Sequence, residues 1–243
     1  MHLEIFNRYE YKYQIVEDVF YKLQERLLNY MDIDIYNRDD FTYPVSNLYC
    51  DTDDSYLIRT SLEKPRYKEK LRIRSYGVPK EDSVVFAEIK KKFGGLVNKR
   101  RSSIRLCDAY DFLQTGVPVF SDPNMNEQVI KEIGYMISTW SLKPSVFISY
   151  NRRAFFGIAD GDLRVSFDTD IITRRDDLRL EAGVFGERIL PDGIWLMEIK
   201  VLNSIPLWLT KILSEYQIVP MSFSKYGTEY AMTTQTKRIM AII

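Results

Sequence analysis

The residues able to do chemistry here are arginines, lysines and carboxylates set two positions apart. Arg72-x-Arg74, Glu88-x-Lys90, Glu198-x-Lys200, Arg8-x-Glu10-x-Lys12 and Arg164-x-Ser166-x-Asp168 repeat this spacing along the chain. On a β-strand, side chains alternate between faces, so every second residue looks the same way. Arginine's planar fork suits phosphate oxygens, and lysine adds a compact point charge beside it. The few acids among them, Glu10, Glu88 and Glu198, are of the type that holds a hard divalent cation, Mg²⁺ or Mn²⁺. The chain's one histidine is His2, and its only cysteines are Cys50 and Cys107. Ser-His-Asp and Cys-His catalysis, histidine-rich zinc sites and haem ligation are therefore excluded. Both cysteines read as buried or inert, and their scarcity points to a reducing, cytoplasmic setting.

The elements that would position these charges follow from periodicity. Apolar stripes at helical spacing predict helices over Val16–Tyr30, over the segment behind Asp122-Pro123 (Val129, Ile133, Met136, Ile137, Trp140), and behind a Ser204 cap (Ile205 to Tyr216). A short helix is expected from Asp108 to Gln114, ended by Gly116. Alternating patterns predict eight strands: 4–15, 45–51, 67–76, 83–92, 97–106, 145–156, 162–172 and 194–202. With no internal repeat and no linker, residues 1–243 read as one domain of α+β class. The architecture expected is an eight-stranded antiparallel β-barrel with helices packed outside.

Sorting the strands by parity gives one apolar and one charged face. Trp195, Met197, Ile199 and Val201 oppose Glu198 and Lys200, and Val165, Phe167 and Ile171 oppose Arg164, Ser166, Asp168 and Asp170. Leu71 and Ile73 oppose Lys70, Arg72 and Arg74, while Tyr9, Tyr11, Tyr13 and Ile15 oppose Arg8, Glu10 and Lys12. A charged face can simply meet solvent, as in many antiparallel sheets. Two features favour the interior instead. The charged faces repeat Arg-x-Arg and Glu-x-Lys, and three apolar helix stripes need an apolar outer surface to cover. A closed barrel would then enclose Lys12, Arg72, Arg74, Lys90, Lys99, Arg152, Arg164, Lys200 and Lys225 against few acids. At an effective dielectric of about 20, two cations 6 Å apart repel by roughly 3 kcal/mol. An arriving polyphosphate would relieve that repulsion. Strand parity leaves Lys99 and Arg101 both open as the inward residue of Lys99-Arg100-Arg101. The charges balance, 34 basic against 34 acidic, so no global field favours nucleic acid, and no apolar run has a membrane span's length. Arg174-Arg175-Asp176-Asp177 reads as a solvated loop.

Seven motifs stand in order: Arg8-Tyr9-Glu10-Tyr11-Lys12-Tyr13, Leu71-Arg72-Ile73-Arg74, Glu88-Ile89-Lys90, Tyr150-Asn151-Arg152, Arg164-Val165-Ser166-Phe167-Asp168, Glu198-Ile199-Lys200 and Phe223-Ser224-Lys225-Tyr226. From about residue 5 to 230 the sequence resembles the VTC domain, the polyphosphate polymerase module of the vacuolar transporter chaperone complex, in a stand-alone form. That family belongs to the triphosphate tunnel metalloenzymes. The resemblance implies that Lys12, Arg72, Arg74, Lys90, Lys99, Arg152 and Arg164 grip a triphosphate or growing chain, with Tyr150 adding a hydroxyl. It also implies that Glu198 coordinates the metal and that Ser224 and Lys225 close over the phosphates. Two positions depart from relatives: Arg8 stands where the wider superfamily opens with Glu, and Ser222 where a Lys is common. The expected activity is metal-dependent phosphoryl transfer from ATP to inorganic polyphosphate or pyrophosphate, with Arg72, Arg74, Lys90 and Lys200 as the catalytic set. Hydrolysis of triphosphates in the same tunnel, and polyphosphate binding without turnover, are the alternatives.

Overall fold

Eight strands close on themselves. In the computed structural model, which describes residues 5–120 and 124–240, β1 (Ile5–Val16), β3 (Tyr43–Asp51), β4 (Tyr67–Tyr76), β5 (Val84–Phe93), β6 (Leu96–Arg105), β7 (Lys143–Gly157), β8 (Arg164–Arg174) and β10 (Ile194–Val201) form the ring. Its order is β7-β3-β4-β5-β6-β1-β10-β8, closed by β8 against β7. All pairings are antiparallel. Two short strands that alternation did not predict, β2 (Met31–Ile33) and β9 (Glu187–Arg188), extend β7 and β8 at the rims. The β5–β6 hairpin turns on Gly94 and Gly95, whose φ values of 54° and 95° match a two-residue turn that needs positive φ at both positions.

Helices cover the apolar faces of the ring. Beyond β1, α1 (Glu17–Leu27) buries Phe20, Leu23 and Leu27, and α5 (Leu207–Glu215) buries Leu209, Ile212 and Leu213. They pack with Tyr13, Ile15, Val165, Phe167, Trp195, Met197 and Ile199, and the Phe20 ring lies flat on Trp195 at 3.9 Å. On the other side, α3 (Leu106–Thr115) and α4 (Glu127–Trp140) cover Leu48, Leu71, Ile73, Val85, Ala87, Ile89 and Ile104. Gly116 ends α3 as expected, at φ 70°. The α4 cap is Asn126, whose side chain accepts from Val129 N at 3.1 Å. Asp122-Pro123, like residue 4 and His2, lies outside the described residues. Val16 is exposed because it ends β1 instead of opening α1, and Pro206, not Ser204, precedes α5. Among the described residues no helix is long and apolar enough to cross a membrane.

Two helices were not visible as apolar stripes. One is α2 (Tyr56–Leu62), tied to β3 by Asp51, which accepts from Leu57 N and Ile58 N. The other is α6 (Lys225–Met240), which lies against α2 and β7. Arg175 clamps α6 to the ring with two bonds to Glu229, at 2.7 and 2.8 Å. Arg174 is also structural: buried, 3.6 Å over Phe147, and donating to the carbonyls of Asp177, Arg179 and Gly183. This stretch is thus an anchor and not the solvated loop expected. Cys50 is buried, whereas Cys107 is exposed.

Candidate active site

The charged faces point into the ring. β4 sends Arg72 and Arg74 inward because Leu71 and Ile73, on the opposite parity, are buried under α3 and α4. Arg72 donates from Nε to Glu88 Oε2 at 2.8 Å and from a terminal nitrogen to the Tyr49 hydroxyl at 2.9 Å. Arg74 donates to Asn47 Oδ1 at 2.9 Å and to the Tyr150 hydroxyl at 3.0 Å. From β6, Lys99 pairs with Glu88 Oε1 at 2.5 Å, while Arg100 turns outward to Glu132 of α4. Arg101 shares the Lys99 face and lies 4.7 Å over the Phe86 ring.

A second group gathers lysines. Lys90 donates to Glu10 at 2.6 Å, Lys200 to Glu198 at 3.0 Å, and Lys12 to the carbonyl of Phe223 at 3.0 Å while standing 3.9 Å from Glu198. The register explains the grouping, since Lys12 lies opposite Glu198 and Glu10 opposite Lys200. A third group is formed by Arg152, bidentate on Asp168 at 2.7 and 2.9 Å, and Lys225, which reaches the same carboxylate at 2.5 Å. Arg164 is 3.3 Å from Asp34. Ser224 accepts from Lys70 Nζ at 2.9 Å, joining the start of α6 to β4.

Every expected substrate or catalytic residue therefore faces the ring's interior or its α6 edge. The acids do not gather as expected. Among the described residues no three metal-ligating side chains cluster closely enough to hold an ion. Glu88 has Arg72, Arg74 and Lys99 within 4 Å of its carboxylate. It is therefore a counter-ion that spaces the arginines. Glu10 and Glu198 project from adjacent strands into one cage of Lys12, Lys90 and Lys200. Two carboxylates suffice for a magnesium-like ion that takes its other ligands from phosphate and water, so this pair fits a metal and Glu88 does not.

The interior is also not uniformly cationic. Tyr49, Val146, Ile148, Tyr150, Ile171 and Leu196 form an apolar cluster with Ile58 of α2 and Tyr226 of α6. Ile171 belongs to this inner cluster although Val165 and Phe167 of the same strand face outward. The parity flips where the β7–β8 register shifts and Asp170 takes φ 50°. Parity also offered Lys70, which shares the Arg72 face, although the motifs passed over it. Asp34, the partner of Arg164, left no local signal, because its contact spans 130 residues.

Electrostatics set the protonation states. Burial alone would raise Glu88, but Arg74, Lys99 and Arg72 hold its carboxyl well below the usual range. Glu198 is likewise lowered against its burial by Lys200, Lys12, Lys90 and Lys225. Lys70 is pushed down to about 7 by burial and then by Lys12, Lys90, Lys68 and Arg72. Burial brings Lys200 down to about 8 despite the opposing pull of Glu198. The named cations outnumber the named carboxylates, so the interior carries a positive excess that phosphate oxygens would neutralise.

A family model described as the VTC domain matches residues 7–234. The chain belongs to the VTC domain family. Comparison with curated proteins finds no match. Among solved structures, a candidate adenylate cyclase from Bacillus halodurans aligns at 13% identity with a TM-score of 0.54, covering 91% of this chain and 96% of that one. A candidate adenylate cyclase from Vibrio parahaemolyticus aligns at 12% identity with a TM-score of 0.48, over 92% of this chain and 97% of that one. The VTC domain described here thus has the triphosphate tunnel fold, a closed ring of antiparallel strands with helices outside.

Proposed function

We propose that this VTC domain lengthens inorganic polyphosphate by phosphoryl transfer from ATP inside the ring. The observation that carries the reading is the convergence of Arg72, Arg74, Lys90, Lys99, Lys200 and Lys12 from five neighbouring strands onto one interior. In phosphoryl transfer a protein mostly positions groups and neutralises charge, which such a sleeve supplies without a nucleophile of its own. A terminal phosphate oxygen of the chain forms the new bond to the γ-phosphorus as the bond to the β–γ bridging oxygen breaks, and ADP departs with that electron pair. Arg72 and Arg74 hold the equatorial oxygens, and Glu88 fixes Arg72 in place and sits 3.8 Å from Arg74. Lys90 and Lys200 carry the charge shared between donor and acceptor. Arg152, Arg164 and Lys225 extend the grip along the chain, with Tyr150 offering a hydroxyl. Mn²⁺ or Mg²⁺ on Glu198 and Glu10 would supply additional neutralisation of phosphate charge.

Purified protein incubated with ATP and Mn²⁺ should yield a ladder of polyphosphate on a stained gel. Arg72→Ala should lower that yield by at least 10²-fold, the usual scale for one electrostatic contact. Release of orthophosphate alone would identify a hydrolase, and binding without turnover under either metal a polyphosphate-binding module.

A further inference from the structure

One end of the cationic row is finished by aromatic rings, and nothing in the phosphoryl chemistry above uses them. Along β4 the inward positions run Lys68, Lys70, Arg72, Arg74 and Tyr76. Each step of two residues advances about 6.5–7 Å. Ser224 of the α6 edge meets Lys70, so Tyr76 stands at the end of the row away from that contact. There it meets Phe86 of β5 at 5.9 Å and Tyr43 of β3 at 6.2 Å between ring centroids. Tyr36, from the short 3₁₀ turn Ile35–Asn37, lies nearly parallel to Tyr76, at 9° and 6.5 Å. Tyr36 and Tyr76 do not serve the core, being 67% and 49% exposed, whereas Tyr43 also packs on the inner apolar cluster. Arg101 stacks on Phe86 and adds a cation to the same rim. The rim is also wired to the cations: Tyr43 donates to Asp34, which pairs with Arg164.

We infer that this rim, Tyr36 and Tyr76 above all, is the stacking platform for the purine ring of the nucleoside triphosphate. The inference rests on the proposed function and names where its donor enters. A triphosphate gripped at Arg72 and Arg74 must send its nucleoside out past Tyr76 or inward toward the apolar cluster and α6. Exposed aromatic faces and a guanidinium plane at the first exit suit a flat, electron-rich heterocycle, and stacking of this kind is indifferent to which base is presented. The polyphosphate product carries no ring, so the rim discriminates donor from product at the mouth of the site.

The test compares ATP with inorganic tripolyphosphate, which has the phosphates and no base. Calorimetric titration of Tyr36→Ala, Tyr76→Ala and the double variant should show ATP weakened about 10-fold or more in the double variant. Tripolyphosphate should stay within twofold, and Tyr36→Phe and Tyr76→Phe should keep ATP affinity. Both tyrosines are exposed, so a thermal melt matching the parent should accompany each variant. Equal weakening of both ligands, or no change in ATP, overturns the platform while leaving the phosphate grip intact. If tripolyphosphate does not bind the parent protein, the phosphate-tunnel reading fails, and this inference with it.

Discussion

Lys70 is where the cost of concentrating charge is easiest to see. Its ammonium donates to Ser224, and among the described residues no carboxylate pairs with it. Burial and four neighbouring cations bring it down to about 7 from an ordinary 10.5. Between those two values the unfolded chain holds a proton that the folded chain lacks, so stability rises with pH across that window. Lys70→Gln should therefore be more stable than the parent, with the gain full below about pH 7 and fading toward pH 10.5. A gain of 1 kcal/mol corresponds to about 2–4 °C in melting temperature for a chain of this size. Binding of tripolyphosphate at pH 8 should draw a proton onto Lys70. Titration calorimetry in buffers of different ionisation enthalpy would reveal it, and the variant should take up less. Equal proton uptake in both would show that Lys70 stands clear of the phosphates.

Among the elements, α6 is tied to its neighbours by a set of long-range side-chain bonds. Its apolar residues do not repeat at helical spacing, which is why sequence periodicity passed over it. What holds it are side-chain bonds: Arg175 to Glu229, Tyr226 to Asp51 at 2.8 Å, and Lys225 to Asp168. Removing Arg175 leaves the 5%-exposed Glu229 carboxylate without its cation, a change that typically costs about 3–5 kcal/mol for a buried pair. Arg175→Ala should accordingly speed amide exchange across α6 while leaving β4 and β5 protected. It should also weaken phosphate binding, because Ser224 and Lys225 sit at the same helix start. Uniform deprotection of the barrel would mean instead that α6 and the ring unfold as one unit.

At the scale of the whole molecule, alternation in single strands was enough to find the tunnel. Glu198–Lys200 and Arg72–Arg74 face inward because Ile199 and Ile73 are needed under helices. Alternation failed at Asp170, where a bulge breaks the period, and at the inner apolar cluster, whose members come from several strands and two helices. It could not reveal that most of these cations already have a carboxylate partner, since contacts such as Lys90 to Glu10 span 80 residues. A polyphosphate entering the ring therefore exchanges partners with existing ion pairs, and the gain is the excess of positive charge it neutralises. Tripolyphosphate at a hundred times its dissociation constant should raise unfolding stability by about 2.7 kcal/mol. A melting curve unmoved by tripolyphosphate would place the anions elsewhere.

The closing strand carries one more consequence. β1 is the first strand in the chain, yet it pairs with β6 on one edge and with β10 on the other. On the ribosome it must wait until Val201 has been made, roughly 10–40 s at the usual ~5–20 residues per second. Through that interval the nascent sheet is an open ribbon with its lysines and arginines exposed to the anions of the surrounding solution. The seam that encloses them is sewn last, after translation of the ring is complete.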